Sequence, residues 1–343
     1  MSSEILLSIC IPTYNREKYL RELLDNIFHQ LNNIKDSNVE ICISDNASTD
    51  NTQQMVFQYQ KTYTNINYFR WDKNMGADNN YLKVVEIAHG EYCWLFGSDD
   101  MISNGGIAKI LSEIKENHDI YLVNNIVCDI NMKPLKKSEI IKHSIKTKVF
   151  NFNTDNNLLY YLKSLNNNMG IFTYLSAIIV KKRQWNLINF DISFIGSAYA
   201  HSYILLSMLK NNITLKYIDA YIVLYRGCND SFAMQGMVNR IRIDCDGYKI
   251  LFTTVFNKKN SKIINYYKDI LKKTWSYNSL SSIYEMLSDN NDRELLISIT
   301  KETHNYLLIY SISFFYYMYR KFFKKFLQKM NIHQKLVELL FYK

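Results

Sequence analysis

Over residues 5–130, short apolar runs alternate with stretches of helical spacing, and this alternation restricts the chain to a layered α/β architecture. Residues 6–11 form an apolar run closed by Pro12, and Asn15 stands where it can cap a helix over 16–30 carrying Leu20, Leu23, Leu24 and Ile27 on one face. Residues 39–44 repeat the strand pattern. The polar turn Asp45-Asn46-Ala47-Ser48-Thr49-Asp50 follows, and Asp50 with Gln53 has the spacing of a capping box. Residues 67–71 read as a third strand. After Gly76, Tyr81, Val84, Val85 and Ala88 recur at i, i+3, i+4 and i+7, a helix that delivers the chain to a strand at 92–96. A helix with Ile107, Ile110, Leu111 and Ile114 on its inner face then precedes a strand at 120–127. The pattern predicts a mainly parallel, doubly wound, Rossmann-like sheet with right-handed crossovers.

Beyond it, residues 133–157 are polar, Lys-rich and aperiodic, and read as a loop with a weak hairpin over the ligand end of the sheet. Residues 177–181 and 215–225 look like later strands with a helix at 197–210 between them, and after Gly236 the pattern is helical. With 343 residues, 48% of them hydrophobic, the chain can bury a full core; the expected division is 1–235 and 236–343. Cys10, Cys42, Cys93, Cys128, Cys228 and Cys245 form no CxxC pair, which argues against a zinc site or a disulfide framework. Met1-Ser2-Ser3-Glu4 runs directly into the first strand with no basic-then-apolar leader, so a cytoplasmic protein is expected.

In an open α/β sheet ligands bind at the carboxyl ends of the strands. The apolar run ending in Phe96 is followed there by Gly97-Ser98-Asp99-Asp100. Acids at that place can hold a cation, which in turn can hold a diphosphate, although acidic pairs after strands also serve as turn formers and helix caps. Two further loops leave carboxyl strand ends, Pro12-Thr13-Tyr14-Asn15-Arg16 and the Asp45–Asp50 turn, and Asn74-Met75-Gly76 lies between the last two.

In this order and spacing the sequence resembles family 2 glycosyltransferases of the GT-A fold, over roughly residues 5–105. The family's marks are P-x-Y-N after the first strand, D-D-x-S-x-D after the second, N-x-G entering the third helix and D-x-D after the fourth. The resemblance implies a nucleotide-diphosphate sugar donor bound by Pro12, Thr13, Tyr14, Asn15, Arg16, Asp45, Asn74, Gly76, Ser98 and Asp99. Thr13, Asn15 and Asp45 would surround base and ribose, and Asp99 would hold a divalent metal, Mn²⁺ or Mg²⁺, bridging the diphosphate. Asp45 also has the chemistry of a turn residue bonding its own backbone, and Asp50 reads as a helix cap. Asn74 and Gly76 read as a turn whose glycine permits close approach of the backbone.

Two positions depart from the family pattern. The first acid of D-x-D is Gly97, leaving Asp99 as the metal-side carboxylate and Asp100 as a second catalytic candidate. The Glu-Asp that usually supplies the base at the start of a late helix is absent from 196–203, where His201 is the candidate replacement, an imidazole with an ordinary pKa of about 6.5. His201 also shares an apolar stripe with Ile204, Leu205 and Met208, as a core-edge histidine would, and Asp191 and Asp100 stand behind it as bases. Asn229, Asp230 and Ser231 can line the acceptor or phosphate side, or form a plain turn. With the segment 225–232, the variant looks like a bacterial subgroup that includes abequosyltransferase-like enzymes, which build surface polysaccharide on polyprenyl-diphosphate carriers. A relative that keeps the pocket but works as a binding or scaffold subunit is the alternative that Gly97 and the missing Glu-Asp recommend.

Residues 301–343 carry eight Lys or Arg against two Glu, a large part of the formal net charge of +9. The apolar run at 304–319 is too short to span a bilayer and rich in Tyr and Phe, and basic residues interleaved with Phe follow it. This predicts an anchor lying in the plane of the membrane's inner face, or else a buried bundle helix with a solvated basic end. Nucleic-acid binding fits poorly, because the aromatics form a block instead of lining a charged groove.

Overall fold

The computed structural model describes residues 5–34, 38–256 and 261–318. The chain divides into two units, one of Met1–Asp230 with Thr253–Ile263 and one of Ser231–Phe252 with Ile264–Lys343. The first unit is built on a ten-stranded sheet of β1 (Leu7–Thr13), β2 (Val39–Asp45), β3 (Ile66–Arg70), β4 (Tyr92–Leu95), β5 (Met101–Ile102), β6 (Ile120–Cys128), β7 (Pro134–Ser138), β8 (Lys148–Asn151), β9 (Ile178–Lys181) and β10 (Thr214–Arg226). Between them run α1 (Glu17–Leu31), α2 (Thr52–Gln60), α3 (Ala77–Glu86), α4 (Gly106–Glu113), α5 (Asp155–Ser164), α6 (Lys182–Asn186) and α7 (Ala200–Met208). The helices that follow are α8 (Met237–Val255), α9 (Ser261–Ile264), α10 (Tyr266–Thr274), α11 (Tyr277–Met286), α12 (Asn290–Thr300) and α13 (Tyr306–Met318).

The sheet order is β3-β2-β1-β4-β9-β6-β10-β5, with β7 against β6 and β8 against β10. β3, β2, β1 and β4 are mutually parallel; β9 enters antiparallel to both β4 and β6, and β10 runs parallel to β6. Every residue of β1 and β2 is buried, as expected of strands covered by helices on both faces. The chain leaves β1 toward β2 and returns to β4 on the other side, so the order reverses between β1 and β4. Such a reversal opens a crevice at the carboxyl strand ends.

The mainly parallel α/β sheet matches the expectation, and three local readings change. Residues 133–157 do not form a hairpin of their own: β7 pairs antiparallel with β6 and β8 with β10, so the segment widens the sheet. Asn15 does not cap α1, because its side chain turns to the Asp45–Asp50 loop. Asp50 serves α1 instead, its Oδ2 accepting from the Glu17 N–H at 3.0 Å while its Oδ1 accepts from the Thr52 N–H at 3.1 Å. The basic segment 320–343, part of the expected anchor, lies outside the described residues, and no described helix is long and apolar enough to cross a membrane.

Candidate active site at the carboxyl strand ends

The loops after β1, β2 and β3 are tied to one another mainly through side-chain amides. Asn15, in the left-handed region at φ 52°, accepts at Oδ1 from the Thr49 N–H at 2.7 Å, and its own N–H donates to Ser48 Oγ at 2.9 Å. Asn46 donates from Nδ2 to Asn74 Oδ1 at 2.9 Å and accepts the Met75 N–H at 2.7 Å. Asn74 Oδ1 also accepts the Gly76 N–H, which sets the turn into α3. Gly76 sits at φ +83° with nothing within 4 Å of where a Cβ would lie. The glycine thus answers the backbone angle, and the space beside it is open.

Asp45 is buried at the end of β2. Its Oδ1 accepts from the Ser48 N–H at 2.8 Å and its Oδ2 from the Tyr68 hydroxyl at 2.7 Å, with Arg70 Nε 3.7 Å away. Burial and this carboxylate together push the Tyr68 phenol well above its ordinary pKa. Pro12 and Thr13 are the last residues of β1 and Tyr14 is exposed beyond them. Thr13 Oγ1 is buried with no hydrogen-bond partner, a vacancy that buried hydroxyls rarely keep.

Across the crevice, Asp99 projects from the turn after β4 with its side chain 22% exposed. Its Oδ2 accepts from Arg16 Nη1 at 2.9 Å and from Asn229 Nδ2 at 2.6 Å. Arg16 also reaches the Asn229 carbonyl at 3.2 Å. Asp100 turns the other way, into the sheet. Its Oδ2 accepts from the hydroxyls of Tyr174 at 2.7 Å and Ser176 at 2.5 Å, and its Oδ1 accepts the Arg226 N–H at 2.9 Å. Burial, and then the charge of Asp99 beside it, raise its pKa against those three donors.

Ser98, between Gly97 and Asp99, is buried. A Cβ on Gly97 would lie 3.2 Å from Asp100 Oδ2 and 3.3 Å from both Asp99 Oδ1 and Ser176 Oγ. A side chain there would be tight, and these side-chain oxygens would have to give by a few tenths of an ångström to admit it.

Beneath this turn lies Arg226, within the segment 225–232. Its Nε donates to the Asp99 carbonyl at 2.7 Å, Nη1 to the Ile130 carbonyl at 2.7 Å and Nη2 to Glu22 Oε2 at 2.6 Å, and its guanidinium lies 4.7 Å from the Tyr19 ring centroid. A cation directly after the apolar run 221–225 was the available signal, since a buried arginine needs partners for its donors.

His201 lies in the first turn of α7, 2% exposed. Its ring meets Tyr81 edge to face at 5.2 Å, Nε2 is 3.3 Å from Ser202 Oγ, and Nδ1 has no partner. Burial pushes its pKa down to about 4. This corrects the expectation of an imidazole titrating near its ordinary value: desolvation removes the charged form from the working range. Two of the three base candidates are therefore below the surface, Asp100 clamped by three donors and His201 packed on Tyr81. Asp191 holds the Ser193 N–H at 2.9 Å and caps its own turn.

The stretch before α7 does have its carboxylate, supplied from another element. Asp78 of α3 accepts the N–H groups of Gly196 at 2.8 Å, Ala198 at 2.9 Å and Ala200 at 3.0 Å. It stands in the first turn of α3. Tyr81, one turn further along, is half-buried against His201; burial, and after it the carboxylates of Asp78, Asp99 and Asp230, push its phenol pKa up.

Among the described residues no three His, Cys, Asp or Glu side chains gather into a site that would hold an ion unaided. Asp99 offers one carboxylate with Oδ2 occupied by two displaceable side chains. That donor set fits Mg²⁺ or Mn²⁺ only when phosphate oxygens and waters complete the shell, an arrangement these ions accept.

The family model for glycosyl transferase family 2 matches residues 8–179. The chain is 38% identical over 283 residues to abequosyltransferase RfbV of Salmonella typhimurium, a match covering 81% of this chain and 84% of that protein. Its fold is similar to the crystal structure of Staphylococcus aureus TarS residues 1–349, with a TM-score of 0.60, 17% identity, and 87% of this chain and 80% of that one covered. It is also similar to the mannosyltransferase PcManGT of Pyrobaculum calidifontis in complex with GDP-Man and Mn²⁺, with a TM-score of 0.53, 13% identity, and 100% of this chain and 89% of that one covered.

Proposed function

The chain belongs to glycosyl transferase family 2 and is a glycosyltransferase using a nucleotide-sugar donor; on that premise we propose that it moves one sugar from a nucleotide-diphosphate sugar to a polyprenyl-diphosphate-linked glycan at the inner face of the cell membrane. The product is a surface polysaccharide of O-antigen type, the kind of pathway suggested by the 38% identity to an abequosyltransferase. One observation carries the reading: the carboxylate of Asp99, at the switch point between β1 and β4, is held among the described residues by Arg16 and Asn229, side chains that an incoming diphosphate can displace or recruit.

In this proposal Thr13, Asn15 and Asp45 border base and ribose, with Pro12 and Tyr14 shaping the entrance and Asn74 and Gly76 fixing the adjoining turn. Arg16 exchanges Asp99 for phosphate oxygens, a bidentate partner that guanidinium geometry suits. A divalent cation held by Asp99 would neutralise charge building on the departing nucleoside diphosphate. Ser98 and Asp100 act by holding the turn that presents Asp99, and His201 by seating Tyr81; their burial favours positioning over direct contact with an acceptor. The scaffold alternative is not favoured, because the 38% identity to an abequosyltransferase extends over 81% of this chain.

The test is thermal stability of the chain with UDP, CDP, GDP, dTDP or ADP, with and without Mn²⁺, in wild type and Asp99→Ala. Ligand at about 100 times its dissociation constant adds about 2.7 kcal/mol. A midpoint shift with one diphosphate that needs both Mn²⁺ and Asp99 supports the assignment. A shift unaffected by Asp99→Ala would remove Asp99 from the site.

A further inference from the structure

In the second unit, α13 (Tyr306–Met318) contains no charged residue, and a helix of that composition in water would normally bury most of its circumference. It buries one narrow stripe. Ile309 and Ser313, four positions apart and so on one face, are its buried residues among those described. They seat on α11, where Ser281 Oγ donates to the Ile309 carbonyl at 3.1 Å and Ser313 Oγ donates to the Ser281 carbonyl at 3.0 Å. Tyr310 meets Tyr284 edge to face at 5.0 Å. Elsewhere the helix presents its large residues outward: Leu307 is 57% exposed, Phe314 59% and Phe315 72%, with Leu308, Tyr310 and Tyr317 also exposed. A contiguous apolar patch of this kind marks a binding surface.

Three occupants compete for it: a lipid surface, a second copy of the chain, or the 25 residues after Met318 folding back. Charge separates the first two. Residues 319–343 carry Arg320, Lys321, Lys324, Lys325, Lys329, Lys335 and Lys343 against Glu338 alone, so a second copy would bring like charge to like, whereas anionic headgroups would be attracted. Composition and length point the same way, since Tyr and Phe favour the headgroup level and 13 helical residues reach only about 20 Å, short of a span. We propose that α13 docks flat on an anionic lipid bilayer, its exposed Leu and Phe residues entering the interface and the cations that follow it pairing with headgroups. The surface goes beyond the donor site and is tested without any sugar.

Full-length protein is sedimented with vesicles of phosphatidylcholine alone or with phosphatidylglycerol added. Binding to the anionic vesicles about tenfold or more tighter than to the neutral ones, and weakening as salt rises, is expected. Phe314→Ser with Phe315→Ser should lower that binding by about tenfold or more while leaving the nucleotide-induced thermal shift unchanged, because both side chains point to solvent. Leu307→Gln with Leu308→Gln repeats the test should the first pair unfold. The proposal is overturned by no sedimentation with either vesicle, by full binding of a folded variant, or by a dimer in analytical ultracentrifugation that the Phe pair converts to monomer. Tighter binding after truncation at Met318 would show residues 319–343 to be the natural cover and would overturn it equally. Failure here with an intact nucleotide shift leaves the donor-site reading standing.

Discussion

The turn after β2 and the turn after β4 both end parallel strands and both carry acids, yet they are held by opposite means. Asp45 is satisfied chiefly from nearby, by the Ser48 amide three residues on and by Tyr68 on the adjacent strand. The turn of Gly97–Asp100 is held from far along the chain, by Arg16, Ser176, Arg226 and Asn229. The turn after β2 is closed within its neighbourhood, by its own amides and by neutral side chains of the adjoining loops. The turn after β4 relies on Arg16 and Arg226 as well, and the bond from Arg16 is one that a diphosphate could compete for.

The sharpest way to break the comparison is to remove the distant support. Arg226→Met deletes a buried cation bonded to Asp99, Ile130 and Glu22, and should cost about 3–5 kcal/mol in urea unfolding. A loss below about 1 kcal/mol would mean that the β4 turn holds itself. Asp99→Asn should act on the reaction instead: turnover falls by about 10²- to 10³-fold while the unfolding midpoint scarcely moves, as measured by donor consumption beside calorimetry.

His201 supplies a pH test. The unfolded imidazole takes a proton near pH 6.5 and the buried one only near about 4, so between these values the unfolded state holds the extra proton. Stability therefore rises with pH across that window, by up to about 3 kcal/mol, and is lost again as the solution is acidified. His201→Gln should flatten that part of the curve; an unchanged slope would show the ring to be solvated. Smallest is the locally closed turn. Asn15→Ala loses the bond to the Thr49 amide and puts alanine at φ 52°, costing about 1–2 kcal/mol with the β4 turn unaffected.

The same contrast explains what the sequence disclosed. β1 to β4 and their helices follow one another with each strand's apolar run and each helix's stripe intact, so alternation was enough to recover them. β9 could be read as a strand but not placed, because nothing local says that 178–181 inserts antiparallel between β4 and β6. Thr13, Arg16, Asp45 and Asp99 could be singled out because they stand at or just beyond the carboxyl ends of strands. Arg226 and Asp78 were not, since their partners lie 96 to 204 positions away.

Asp78 grips the segment 196–200 by main-chain amides, atoms that every residue except proline possesses. At Gly196, Ala198 and Ala200 the path of the segment is thereby set without calling on their side chains, provided that positive φ is tolerated at Gly196 and Ala198. Ser197 is the exception, since its Oγ donates to the Phe194 carbonyl at 2.7 Å and accepts the Tyr199 N–H at 3.0 Å. One carboxylate on α3 thus acts as a peg on which the approach to α7 is hung.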